Sequence, residues 1–224
     1  MPTIVIVGAG PGLGLSIGKI FGRNGFNVAL VARDQTKLDA LAVQLGALDI
    51  DAAGFAADIM DRPSLVDAFH TIKQRYGAID VLEYSPAPHN PVPGITMTGP
   101  LEATVDNLQP QIDFYLHGAV TATHEVLAAM VDRGAGTLLY TTGASSVTPN
   151  PMMGNVGPAA AALRNWVLAL HQALAGTGVY AAHVPLNTWI GSGGPETQPD
   201  TIAELYWTLH TERAEAEHLY PTVS

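Results

Sequence analysis

Five residues with phosphate-binding character stand out near the N-terminus, in the run Gly8-Ala9-Gly10-Pro11-Gly12-Leu13-Gly14 and at Arg33. The glycine run follows the β-branched stretch Ile4 to Val7 and opens an amphipathic helical pattern from Leu13 to Asn24. Strand, glycine turn and helix together aim backbone N–H groups and a helix N-terminus at one point, which suits an anionic phosphate. The plain alternative is a βα turn that binds nothing. Arg33 offers a planar set of donors that matches a phosphate monoester; the alternative is a surface arginine beside a helix start.

The elements that must position these groups follow in order. Asn27 to Ala32 reads as a second buried strand, and Asp34 as the cap of a helix carrying Leu38, Leu41 and Leu45. Asp51 to Ala57 is a third strand, Arg62 to Tyr76 a helix, and Ile79 to Tyr84 a fourth strand. Connections this short imply right-handed parallel crossovers. Ser85 to Pro100 is rich in proline and reads as a loop at the carboxyl end of a strand, where ligands sit in open α/β sheets. A helical stretch from Leu101 to Val131, interrupted near Pro110, leads to a fifth strand at Gly136 to Thr142. Ala159 to Ala175 is a helix of small and apolar residues, expected to be covered by the sheet and by a second subunit. Gly178 to Val184 is a sixth strand, Asp200 to Glu217 a last helix, and His218 to Tyr220 a short final strand. The expectation is α/β: one doubly wound parallel sheet of six or seven strands, helices on both faces, residues 1–224 as a single domain.

Composition narrows the chemistry. With 47% hydrophobic and 13% charged residues, the chain encloses a sizeable core rather than long disorder. The net charge of −10, with scattered basic residues, disfavours nucleic acid and anionic membranes as partners. The absence of cysteine excludes disulfides and thiolate sites, and no histidine or carboxylate spacing suggests a metal. The chain starts in a strand rather than a charged leader, and no apolar run reaches membrane-spanning length. A cytoplasmic protein is expected.

The spacing Gly8-xxx-Gly12-x-Gly14 resembles that of the short-chain dehydrogenase/reductase family, and the resemblance extends from Ile4 to about Glu217. It implies a dinucleotide held by Gly8, Gly10, Gly12, Leu13 and Gly14. It also implies that Asp58, directly after the third strand, bonds the adenine amino group while Ile59 packs on the base. Ser85, in Tyr84-Ser85-Pro86-Ala87, stands where the family has Asn-Asn-Ala-Gly, and Pro185 precedes the loop that contacts nicotinamide. The second strand ends in Ala32-Arg33 with no acid, which resembles the members preferring NADP(H).

The resemblance also locates the family's chemistry, a tyrosine acid assisted by a lysine four residues on, a serine and an asparagine. The segment Ala159 to Arg164 fits the lysine motif and puts Ala160 at the lysine, so Val156 takes the tyrosine position and Gly143 the serine. Tyr115-Leu116-His117-Gly118 puts Tyr115 at the asparagine. Independently of alignment, no lysine follows Lys73, so a Tyr-xxx-Lys pair is impossible in the second half. Tyr115 is the one candidate proton donor, read equally as a volume filler; without a cation it is a hydrogen-bond donor rather than a ready acid. His89 titrates in the useful range but reads more simply as a solvated loop residue, and His117 and His124 as surface or interface groups. Thr141, Thr142, Ser145 and Ser146 are candidate substrate hydrogen-bonders, and Met152, Met153, Val156 and Ala160 give an apolar pocket wall. No serine lies in a Gly-x-Ser-x-Gly elbow. Three readings follow: an NADP(H)-dependent oxidoreductase acting by a non-standard mechanism on a hydrophobic small molecule; a non-redox isomerase, cyclase or lyase on the same fold; or a non-catalytic NADP(H) sensor or scaffold. In each, a homodimer or homotetramer is expected.

Overall fold

The computed structural model describes residues 1–87, 92 and 94–221. Six parallel strands form one sheet in the order β3-β2-β1-β4-β5-β6: β1 (Thr3–Val7), β2 (Asn27–Ala32), β3 (Ala52–Ala56), β4 (Val81–Tyr84), β5 (Gly136–Gly143) and β6 (Val179–Leu186). The central strands are apolar on both faces, as helices on both sides require. Helices α1 (Leu13–Arg23), α2 (Gln35–Gly46) and α7 (Pro199–Glu212) cover one face through Ile17, Phe21, Leu41, Ile202 and Tyr206. Helices α3 (Arg62–Tyr76), α5 (Gly118–Arg133) and α6 (Val156–Ala173) cover the other through Leu65, Phe69, Val126, Leu163 and Val167. Strand order reverses between β1 and β4, so a crevice opens at their carboxyl ends. The register there aligns Val31, Val7, Tyr84, Tyr140 and His183 across five strands.

Several boundaries differ from the sequence expectation. The stretch expected to be helical from Leu101 starts at Val105, capped by Thr104, as α4 (Val105–Ile112). Pro110 lies inside α4, and the interruption follows it as a π-helical turn, Asp113–His117. A proline withholds one N–H from the helical ladder, and π turns cluster at functional positions. Helix α6 begins three residues earlier than expected, at Val156, its first turn entered through a bond from the Gly157 N–H to the Met153 carbonyl at 2.8 Å. Helix α7 stops at Glu212 rather than Glu217, since Arg213 adopts the left-handed conformation (φ 53°). The Arg213 guanidinium donates to the Gly178 carbonyl at 3.2 Å and turns the chain back toward β6. The expected seventh strand is two isolated parallel bridges, His183 to Glu217 and Leu186 to Tyr220. No described helix is long and apolar enough to cross a membrane.

Candidate functional site

The glycine turn sits at the reversal point between β1 and β4. Gly8 takes φ 98° and donates its N–H to Val31 O at 2.9 Å. A Cβ there would meet the Pro86 backbone at 2.6 Å, so the turn is pressed against the chain leaving β4. Gly14 is also tightly packed: its Cβ would stand 3.0 Å from Ala9 Cα. Gly10 and Gly12 differ, because a Cβ on either meets nothing within 4 Å. Leu13 starts α1 with its side chain buried, leaving its backbone N–H as its offering. Gly12 caps that helix without a side chain, and no acid lies in the first turn. The Leu15 N–H donates to Gly10 O at 3.0 Å, while the Leu13 and Gly14 N–H groups have no partner among the described residues; with the positive end of the helix dipole they lie beside the open space at Gly10 and Gly12, a cradle for an anion. The residues present fit a dinucleotide pyrophosphate.

Around this cradle the other sequence-expected residues are spread along the carboxyl edge of the sheet. Arg33 is exposed immediately after β2. Asp34 is engaged elsewhere: it caps α2, accepting from the Lys37 N–H at 3.2 Å, which holds its carboxyl below the ordinary value. Asp58 lies half-buried after β3, one carboxylate oxygen accepting the Met60 N–H at 2.9 Å. Ile59 is half-buried against Gly118 of α5. The Ser85 hydroxyl turns inward and donates to Glu83 at 2.9 Å, so its backbone faces the crevice side by side with Gly8. Pro185 lies at the end of β6, where its carbonyl accepts from the Tyr220 N–H at 2.9 Å.

Across the sheet, Tyr115 projects from the π turn, half-buried, and burial raises its phenol above the ordinary value. Among the described residues, burial alone accounts for this rise. Gly143 ends β5 exposed, with open space where its Cβ would stand, whereas Ala160 is buried in α6. His89 lies outside the described residues. His117 pairs with Asp113 at 2.6 Å and Arg62 at 3.1 Å, and His124 is exposed.

Two polar clusters were not expected from sequence. Glu83, wholly buried on β4, accepts from Ser85 and from Thr141 Oγ1 at 3.2 Å, and burial raises its carboxyl to about 8. Thr141 also meets the Tyr206 hydroxyl of α7 at 2.6 Å, so it faces the α1/α7 side and is no substrate ligand. On the opposite face, His183 of β6 lies between Glu217 Oε2 (Nδ1, 2.9 Å) and Thr142 Oγ1 (Nε2, 2.9 Å). Thr142 lies 2.8 Å from Ser146 Oγ, and Arg164 of α6 grips Glu217 with Nε at 2.5 Å and Nη2 at 2.8 Å. A histidine and a glutamate 34 residues apart carry no sequence spacing that signals contact. Asn155, also buried, ties the site's loops: its amide accepts from the Thr98 N–H at 3.0 Å and donates to the carbonyls of Thr96 at 2.7 Å and Asn107 at 3.1 Å.

A parallel doubly wound sheet with a glycine cradle at its reversal point defines a dinucleotide-binding class of protein. Residues 2–187 match the short chain dehydrogenase family, and the chain belongs to that family. It is 28% identical over 164 residues to oxidoreductase asL5 of Sarocladium schorii, covering 73% of this chain and 62% of that protein, less than two thirds of its length. It is 26% identical over 182 residues to a probable NADP-dependent dehydrogenase of Haemophilus influenzae, covering 81% and 69%. The fold superposes on L-sorbose reductase from Gluconobacter frateurii, crystallised with NADPH and L-sorbose, with a TM-score of 0.83, 18% identity and coverage of 98% and 94%.

Proposed function

We propose that this chain is an NADP(H)-dependent oxidoreductase acting on a hydrophobic small molecule without a Tyr-xxx-Lys acid. The observation that carries the cofactor is the open, uncapped cradle at Gly10 and Gly12 over the start of α1. Arg33, exposed one strand away with no acid at Ala32, supports a 2′-phosphate over a 2′-hydroxyl. The NADP(H) named for relatives agrees with this. In this reading Gly8 to Gly14 hold the pyrophosphate, Asp58 and Ile59 the adenine, and Ser85 and Pro185 flank the path to nicotinamide. When bound, the reduced cofactor supplies a hydride to a carbonyl carbon.

The substrate class rests on the rim of the cleft. Met97 and Leu101 after β4, Met152 after β5, and Trp189 and Ile190 after β6 are all exposed apolar side chains. The loops after β4 and β5 touch, the Gly154 N–H donating to Thr98 O at 2.7 Å, and an apolar molecule bound against these side chains leaves water. Tyr115 serves as a hydrogen-bond donor to the substrate, its raised proton affinity keeping it neutral. The outer face of α6, with Asn165 and Ala169 exposed, supports a homodimer or homotetramer, and the reading includes a cytoplasmic location.

Calorimetric titration with NADPH and NADH, followed by nicotinamide absorbance with a panel of carbonyl compounds, tests this. Tight NADPH binding and turnover of an apolar ketone is the expected result. No binding of either nucleotide defeats the cofactor assignment, and binding without turnover favours the non-redox or sensor reading.

A further inference from the structure

The cluster joining Glu217, His183, Thr142 and Ser146 is unused by that reading, and its order is chemically directional. Glu217 is held ionised by the bidentate Arg164, and it faces His183 Nδ1 at 2.9 Å. An anion at that position fixes the neutral imidazole as the Nδ1–H tautomer, leaving Nε2 a bare acceptor. Thr142 has one hydroxyl proton and three acceptors in reach: His183 Nε2 at 2.9 Å, Ser146 Oγ at 2.8 Å and Gly143 O at 3.1 Å. While the imidazole is neutral, that proton points to Nε2. When the imidazole takes a second proton, Nε2–H becomes the donor, and the Thr142 proton must swing to Ser146 or to Gly143 O. Protonation of the imidazole thereby turns the Thr142 donor toward Ser146, whose own hydroxyl donates to the carbonyl of exposed Gly143 at 3.0 Å.

We propose that Glu217, His183, Thr142 and Ser146 form a proton relay that opens beside Gly143 and supplies the acid of the cleft. It rests on the proposed function only in placing the reacting carbonyl over the end of β5. The oxygen that gains negative charge takes the Ser146 proton, Ser146 is refilled from Thr142, and Thr142 from His183 Nε2. The imidazolium becomes neutral and keeps Nδ1–H on Glu217, which stays ionised; after product leaves, water at the Ser146 end returns a proton to Nε2 by the reverse path through Ser146 and Thr142. The reduced nicotinamide, when bound, would supply the hydride that the carbonyl carbon needs.

His183 is wholly enclosed and Thr142 is 4% exposed, so the imidazole exchanges protons through Ser146, itself 5% exposed and beside exposed Gly143. The charged groups facing the imidazole are Glu217, from the segment after α7, and Arg164, from α6. Burial lowers its proton affinity more than Glu217 raises it, so the resting imidazole is neutral near pH 7.

Histidine-selective 15N NMR of the intact protein reads the relay directly, with the His183→Gln variant assigning the signals. The expected result is an Nδ1–H tautomer that protonates reversibly in the folded protein, with a midpoint displaced in Thr142→Val. An Nε2–H tautomer, or an imidazole that stays neutral until the protein unfolds, overturns the relay. With NADPH and phenanthrenequinone as probe, kcat should fall as pH rises through the same midpoint. Thr142→Val and Ser146→Ala should lower kcat about a hundredfold at unchanged KM and flatten the profile. A flat wild-type profile, or no turnover despite bound NADPH, also overturns it. Calorimetry on the same sample separates the failures: lost NADPH binding sinks the cofactor assignment, while the tautomer and midpoint judge the relay.

Discussion

The Tyr84 hydroxyl at the end of β4 donates to the Phe114 carbonyl at 2.7 Å, inside the π turn that carries Tyr115. Burial raises the Tyr84 phenol well above its ordinary value, so it stays a donor. Gly118, the first residue of α5, makes room for it, since a Cβ there would overlap the Tyr84 hydroxyl. Tyr84, Phe114 and Gly118 thus form one unit that sets where Tyr115 stands.

Tyr84→Phe leaves a buried carbonyl without a partner, and urea unfolding should show a loss of about 1–3 kcal/mol. Gly118→Ala forces the same contact apart and should cost about 1–3 kcal/mol. An unchanged unfolding midpoint in both variants would mean the hydroxyl contact does not hold the π turn.

The glycine turn separates folding from binding. The Cβ of Gly12→Val enters open space, so the variant should keep the wild-type melting temperature while weakening NADPH at least about tenfold, about 1.4 kcal/mol. Gly8→Ala combines φ 98° with a Cβ 2.6 Å from Pro86, so it should lower the melting temperature itself. Full NADPH affinity in a folded Gly12→Val protein would remove the cradle.

Arg33→Ala tests the phosphate contact. Loss of a charge-assisted hydrogen bond is worth about 1.5–3 kcal/mol, so NADPH should weaken by about 10- to 100-fold while NADH changes little. Calorimetry with both nucleotides decides it, and equal weakening sinks the phosphate assignment.

Glu83 gives a pH signature of opposite sign to that of a surface carboxylate. Its folded-state proton affinity rises from an ordinary 4.5 to about 8 through burial, opposed by hydrogen bonds from Ser85 and Thr141. The folded protein therefore binds more protons than the unfolded chain between those values. The contribution is complete below pH 4.5, declines as pH rises, and is gone above about 8. Glu83→Gln, neutral at every pH, should hold its melting temperature from pH 5 to 9 better than wild type; parallel pH curves would show that Glu83 ionises normally.

The strand and helix order was readable because period, glycine punctuation and the Asp34 cap are local signals, each confined to a few neighbouring residues. Helix ends were less so. Arg213 ends α7 because its guanidinium finds Gly178, a contact 35 residues away that no helical period contains. Thr141 and Thr142 show the same limit at the site: adjacent on β5, they point to opposite faces, one to Glu83 and the other to His183.

By itself the sequence determined the doubly wound order, the glycine turn, the arginine after the second strand, and the lack of any lysine after Lys73. These depend on residue type and short spacing alone. Only the tertiary structure decided that Gly10 and Gly12 face open space while Gly8 is pressed against Pro86. It alone, too, brought Arg164, Glu217, His183 and Thr142 into one chain from α6, the segment after α7, β6 and β5. Parallel pairing joins strands that are distant in sequence, so the polar groups buried between them meet through register rather than spacing.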